Sequence, residues 1–172
     1  IYRSLEKTLG EKLSTVARSC TLLLESPEIR YLAENPGPRL KERIQERLIP
    51  VESLEGIKRI FIFDASNSVL ADVYDTAFET PNPDLFFFES EIEWMKNRGT
   101  AYSILFEGID QAPSMTGFAG LFENREFIAG VGIEGDAFFL DDVRQVQRQL
   151  WFIGVSGILL AILIGMLLSN TI

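Results

Sequence analysis

From Leu150 to Leu168 this chain carries nineteen residues without a charged side chain, LWFIGVSGILLAILIGMLL. At about 1.5 Å of rise per residue, a helix of that length matches the hydrocarbon core of a bilayer. Trp151 stands at its start, a residue type enriched where membrane meets water. Every charged side chain precedes the run. The sequence therefore predicts a polar domain over residues 1–149 on one side of a membrane, feeding into a transmembrane helix at 150–168 surrounded by lipid.

The polar part is long enough for one domain with its own core and too short for two. A net charge of −9 argues against nucleic acid as a partner, because phosphate backbones select surfaces rich in Lys and Arg. The chain has no histidine and a single cysteine, Cys20. That removes His-based nucleophilic catalysis, His-ligated metal sites and any internal disulfide. No cofactor is expected, and this piece of chain is not expected to be an enzyme.

Hydrophobic spacing orders the elements. Leu9, Leu13, Val16, Cys20 and Leu23 recur at intervals of four and three, which predicts a long amphipathic helix over 3–25 with one dry seam. Ser26-Pro27 ends or kinks it. A second helix is expected over 28–34, before the break Asn35-Pro36-Gly37-Pro38. A third follows with Leu40, Ile44 and Leu48 on one face, limited by Pro50. The period then changes to two. Residues 58–64 and 69–74 read as a hairpin around the turn Ala65-Ser66-Asn67-Ser68. Asn82-Pro83 opens a helix to 97, with Leu85, Phe88, Ile92 and Met95 on its buried face and Gly99 at its end. Three more strands are expected at 100–107, 115–123 and 126–134, the last two joined by Glu123-Asn124-Arg125. From Asp136 the chain is helical again, with Phe139, Val143, Val146 and Leu150 on one seam. The fold class is α+β: a five-stranded antiparallel sheet with a long N-terminal helix, followed by one transmembrane helix. The chain divides into a helical segment at 1–57, a sheet core at 58–135, an exit helix at 136–149, the span at 150–168 and the start of a further relay at 169–172.

The strand-turn-strand from Arg59 to Asp72 and the late pair Phe118–Phe122 and Phe127–Glu134 carry a family likeness. In this order of elements the chain resembles the single Cache domain, the PAS-like extracytoplasmic sensor module of bacterial receptors. Such modules occur in transmembrane histidine kinases, chemoreceptors and cyclic-dinucleotide enzymes. The resemblance implies a periplasmic or extracellular sensing domain anchored in the inner membrane, working as a homodimer with a cytoplasmic output, a histidine kinase first among the options. It also implies a transmembrane helix before Ile1 and a relay such as a HAMP domain after Ile172. The glycine usual in the first turn of the family is absent here. The aromatic-and-arginine signature of its amino-acid binders does not fit either, so the resemblance implies fold and role without a ligand.

Candidate site residues follow from placement. Trp94, Arg98, Tyr102 and Asp110 surround the segment that borders the ligand cavity in Cache domains, and Tyr74 ends its strand nearby. Arg98 could anchor a carboxylate by a bidentate pair, or serve only as a cation at a helix C-terminus. Phe86, Phe87, Phe88 and Trp94 read either as core of a helix buried on two sides or as a lid over an apolar pocket. Asp64, Ser66, Ser68 and Asp75 have a faint calcium-loop spacing, but Val69 stands where that loop needs glycine. A hairpin turn is the simpler reading. In the span, Gly157, Ala161 and Gly165 recur every fourth residue and would let two helices approach closely. Val143, Val146 and Leu150 favour a left-handed pair that also passes through Gly157. The rival reading is a single-pass scaffold or assembly protein whose outer domain binds a protein partner.

Overall fold

A computed structural model describes residues 2–35, 37–54, 56–74, 85–108 and 111–137. The exit helix and span expected from the sequence lie outside them. Among the described residues no helix is long and apolar enough to cross a membrane.

Three helices come first. Helix α1 spans Tyr2–Thr21, α2 Ser26–Glu34 and α3 Pro38–Glu52. The buried stripe of α1 is Leu9, Leu13, Ala17 and Cys20, continued by Leu24 beyond the helix. It therefore passes through Ala17 and Leu24 where the sequence pattern pointed to Val16 and Leu23. The helix ends at Thr21, and the amides of Leu22, Leu23 and Leu24 bond back to Ser19, Cys20 and Thr21 in tight turns. Leu23 is thereby turned outward. Helices α2 and α3 each start with a proline in the first turn, after an extended N-cap, where the missing amide costs nothing. Pro50 lies inside the last turn of α3 rather than beyond its end; Ser53 closes the helix with its amide on the Ile49 carbonyl.

The sheet has six strands: β1 Ile57–Asp64, β2 Val69–Tyr74, β3 Thr100–Tyr102, β4 Phe106–Glu107, β5 Pro113–Glu123 and β6 Glu126–Asp136. Every pairing is antiparallel. The order is β2-β1-β6-β5-β3, with β4 also on β5. The single strand expected at 100–107 is thus two short ones. Ser103 interrupts it: its hydroxyl accepts the Thr116 amide at 2.9 Å while its own amide bonds the Thr116 carbonyl at 2.8 Å. The β5–β6 hairpin turns at Asn124 and Arg125, both with positive φ, as a two-residue hairpin turn of the primed type requires. In the β1–β2 turn, Asp64 Oδ1 accepts from the amides of Ser66 and Ser68 and from the Ser66 hydroxyl, the turn chemistry expected there.

Period-two alternation gives the sheet two dry faces. Ile60, Ile62, Ala71, Val73, Met115, Ala119, Val131 and Ile133 face the layer of α1, α2 and α3. Phe61, Phe63 and Phe118 face the opposite way, under Leu85, Ile92 and Met95. These last belong to a 3-10 turn at Leu85–Phe88 and to α4, Glu89–Arg98, which ends on Gly99 in the left-handed region. Where α1 crosses β5 the sheet presents Gly117. A Cβ there would collide with the backbone of Leu13 and Ser14, so the helix rests on bare strand.

Candidate functional site

The α4 face of the sheet holds an aromatic layer beside a polar row. Phe61, Phe63 and Phe118 form a triangle with ring centroids 6.1–6.3 Å apart, and Phe88 closes on Phe118 at 5.4 Å and on Phe106 at 5.3 Å. On β6, Gly130 and Gly132 leave the space that the Phe63 and Phe61 rings occupy. The layer is therefore filled from within the chain.

Two residues further along each strand, on the same face, the chemistry changes. Arg59 on β1, Glu134 on β6 and Thr116 on β5 are direct cross-strand neighbours. Strand alternation sets all three on the face of Phe61, Gly132 and Phe118. Arg59 is 3% exposed, and its guanidinium grips the Asp72 carboxylate, Nε donating to Oδ1 at 2.9 Å and to Oδ2 at 3.0 Å, with Nη2 donating to Oδ2 as well. Thr116 is 1% exposed, and among the described residues its hydroxyl has no hydrogen-bond partner. Ser103, also buried, continues the row at the Thr116 backbone. Taking an ion pair out of water recovers little net energy, and an orphaned hydroxyl costs about 1–3 kcal/mol. A row of this kind can hold a polar group through charge-assisted bonds.

The residues singled out from the sequence are dispersed. Trp94 and Arg98 lie on the outer side of α4, away from the Ile92 and Met95 that pack on the sheet. The Arg98 guanidinium stacks on the Trp94 ring at 4.1 Å, one helical turn away. Arg98 thus sits as a stacked cation at the helix C-terminus. Tyr102 is on the opposite face of the sheet, its ring against Gly10 of α1, because Ala101 takes the α4 side. The structure therefore does not bring Arg98 and Tyr102 together. Tyr74 ends β2 opposite Arg59; its side chain lies outside the described residues, as do Asp110, Val143, Val146, Leu150, Gly157, Ala161 and Gly165. Phe86 and Phe87 are 74% and 77% exposed, while Leu85 and Phe88 turn inward with the three-residue period of the 3-10 turn. Plain core is the wrong reading for those two rings.

Arg59, Asp72, Thr116 and Glu134 were not singled out from the sequence, although the signal was there. In Arg59-Ile60-Phe61-Ile62-Phe63 both alternating sets are apolar except at Arg59, which places a charge on a face otherwise made of phenylalanine. Burial raises the Cys20 thiol pKa to about 11, which disfavours the reactive thiolate.

No protein-family model and no curated protein matches the sequence. Among solved structures, the extracellular domain of the histidine kinase candidate vpHK1S-Z8 is similar with a TM-score of 0.51 at 12% identity, over 83% of this chain and 54% of that one. The ligand-binding domain of the Campylobacter jejuni chemoreceptor Tlp3, in complex with L-valine, gives 0.49 at 10% identity, over 82% and 65%. That of the Pseudomonas fluorescens chemoreceptor CtaA, in complex with L-isoleucine, gives 0.42 at 12%, over 78% and 57%. The chain spans from about half to just under two thirds of the length of these domains. In fold the chain is similar to the extracellular domain of that histidine kinase candidate, as the order of elements along the sequence implies.

Proposed function

We propose that this chain is the sensing part of a dimeric bacterial membrane receptor. Its extracytoplasmic domain seats a small polar molecule on the α4 face, with its polar groups on the row Arg59, Glu134 and Thr116. The exit helix and the span at 150–168 carry the resulting change across the inner membrane to a cytoplasmic output, a histidine kinase. Tyr74 and Asp110 flank the site in sequence and are candidate contacts. Val143, Val146, Leu150, Gly157, Ala161 and Gly165 are the candidate packing positions of the dimer.

The observation that carries this reading is the buried polar row with its orphaned hydroxyl. A sheet face that could be wholly apolar instead keeps Arg59, Asp72 and Thr116 at a cost, and departures of that kind cluster at functional sites. The fold likeness agrees with it. The test is a thermal-shift screen of amino acids and organic acids on the full chain in detergent. A hit should stabilise the parent, and Thr116→Val and Glu134→Gln should each weaken its binding about tenfold. A hit unaffected by both changes would place the site elsewhere.

A second reading, the single-pass scaffold, has Phe86, Phe87 and Trp94 in its favour, exposed together on one segment. It predicts that Phe86→Ser with Phe87→Ser abolishes capture of a protein partner in membranes and leaves the thermal-shift screen silent in every variant.

A further inference from the structure

A second group of charges lies on the helical layer, away from the α4 face. Arg39, Arg43 and Arg47 recur every fourth residue along α3 and share one side of it. That side meets α2 at Glu28. The Glu28 carboxylate accepts from Arg43 Nη2 at 2.5 Å, from Arg47 Nη1 at 2.6 Å and from Arg47 Nη2 at 3.2 Å. One carboxylate thus answers two guanidiniums. Among the described residues Arg39, the third, has no ion-pair partner. This side of α3 is therefore locally positive in a chain whose net charge is −9.

The arginines border a groove of about 400 Å³ between the two helices, lined by Pro27, Glu28, Tyr31, Arg39, Leu40 and Arg43. Pro27, Leu40 and the Tyr31 ring give it apolar walls. Its polar groups are hydrogen-bond donors, except for Glu28, whose oxygens are already engaged. Glu28 shows what this stripe holds: a planar carboxylate, matched by the fork of a guanidinium. An apolar floor beside unspent guanidinium donors fits a molecule that is apolar over most of its surface and anionic at one end.

We propose that the α2–α3 groove is a binding site for small carboxylates on an apolar body, with the carboxylate on Arg39 and Arg43 and the body against Leu40, Pro27 and the Tyr31 ring. The site is independent of the one on the α4 face, yet it has a path to it. Ile44 and Leu48 of α3 are buried against the sheet, and Gln45 Nε2 donates to the Asp72 backbone carbonyl at 2.5 Å, on the strand whose carboxylate holds Arg59. An anion that tightens α2 against α3 acts on that strand from the side opposite the polar row.

The test is calorimetric titration of the full chain in detergent with benzoate, with benzamide and inorganic phosphate alongside. Benzoate should bind saturably. Benzamide, of the same shape without the charge, should bind at least about tenfold more weakly. Arg39→Gln should weaken benzoate about tenfold or more, and Arg18→Gln, an exposed arginine of α1, should leave it unchanged. No saturation by about 10 mM benzoate would overturn the proposal, since weaker binding lies outside specific recognition. So would an Arg39→Gln variant that binds like the parent. Phosphate binding as tightly as benzoate would overturn the apolar body and leave a bare anion site.

Discussion

Thr116 and Arg59 occupy positions that an apolar residue would fill at lower cost. The Thr116 hydroxyl is sealed in and has no partner among the described residues, so removing it without changing shape should help the fold. Thr116→Val should raise the stability of the domain by about 1 kcal/mol, read as a higher urea midpoint at unchanged slope. A lower midpoint would mean that the hydroxyl has a partner in solution. Cys20 makes a prediction of the opposite kind. Burial raises its folded pKa to about 11, above the ordinary thiol value. A thiol whose folded pKa is raised contributes stability fully below the unfolded pKa and loses it as pH climbs toward the folded one. Stability should therefore fall between pH 9 and about 11, and Cys20→Ala should remove that component of the fall, measured by urea unfolding across the series. At this scale the sequence was legible only in part. Alternation put Arg59 in line with Phe61 and Phe63, which is a local fact. Whether Arg98 and Tyr102 meet is not local: it depends on which side of a three-residue strand Tyr102 takes, and Gly10 of α1, ninety residues earlier in the chain, provides the space for its ring.

At the scale of elements, helix and strand types were readable because the period switches cleanly from about 3.6 to 2 after α3. The details that were not readable have a common cause: they are set by contacts between elements. The α1 stripe drifts from Val16 to Ala17 because the helix lies on the sheet, whose flat surface imposes no seven-residue seam. The strand after α4 breaks at Ser103 because a side chain competes for the Thr116 amide. The crossing of α1 over β5 supplies the sharpest test. A Cβ at Gly117 would strike helix backbone, which cannot swing aside as a side chain can. Gly117→Ala should cost about 3 kcal/mol, near the upper end for overpacking. Gly56→Ala is unsuitable as a control because of its positive φ, but Gly37→Ala, in an open N-cap, should cost less than about 1 kcal/mol. Equal costs would show that α1 can lift from the sheet freely.

For the whole molecule, the α+β class with its N-terminal helix and antiparallel sheet was legible from element order, with six strands where five were expected, and the likeness in fold to the extracellular domain of a histidine kinase candidate agrees with the resemblance read from the strands. Dimerisation was argued from the seam beyond Asp136, and its test belongs in the membrane. Cysteines at Val143, Val146 or Leu150 should crosslink between chains at least several-fold more readily than cysteines at Arg144 or Gln147, scored on gels after mild oxidation. Equal yields around the helix would sink the paired exit. In the same membranes Gly157→Ile should reduce association, because a β-branched side chain would hold two backbones apart. Leu159→Ile, on neither candidate seam, should behave as the parent.

Strand β6 is flanked by β1 on one side and β5 on the other, over almost its whole length. It is also the last described strand, and the Ala137 amide still bonds the Pro113 carbonyl. Tension applied at Ala137 along the strand would load both ladders in shear, with many bonds strained at once. A tether fixed to an edge strand such as β2 would instead unzip one bond at a time. A pull applied at Ala137 would thus be resisted by the middle of the sheet.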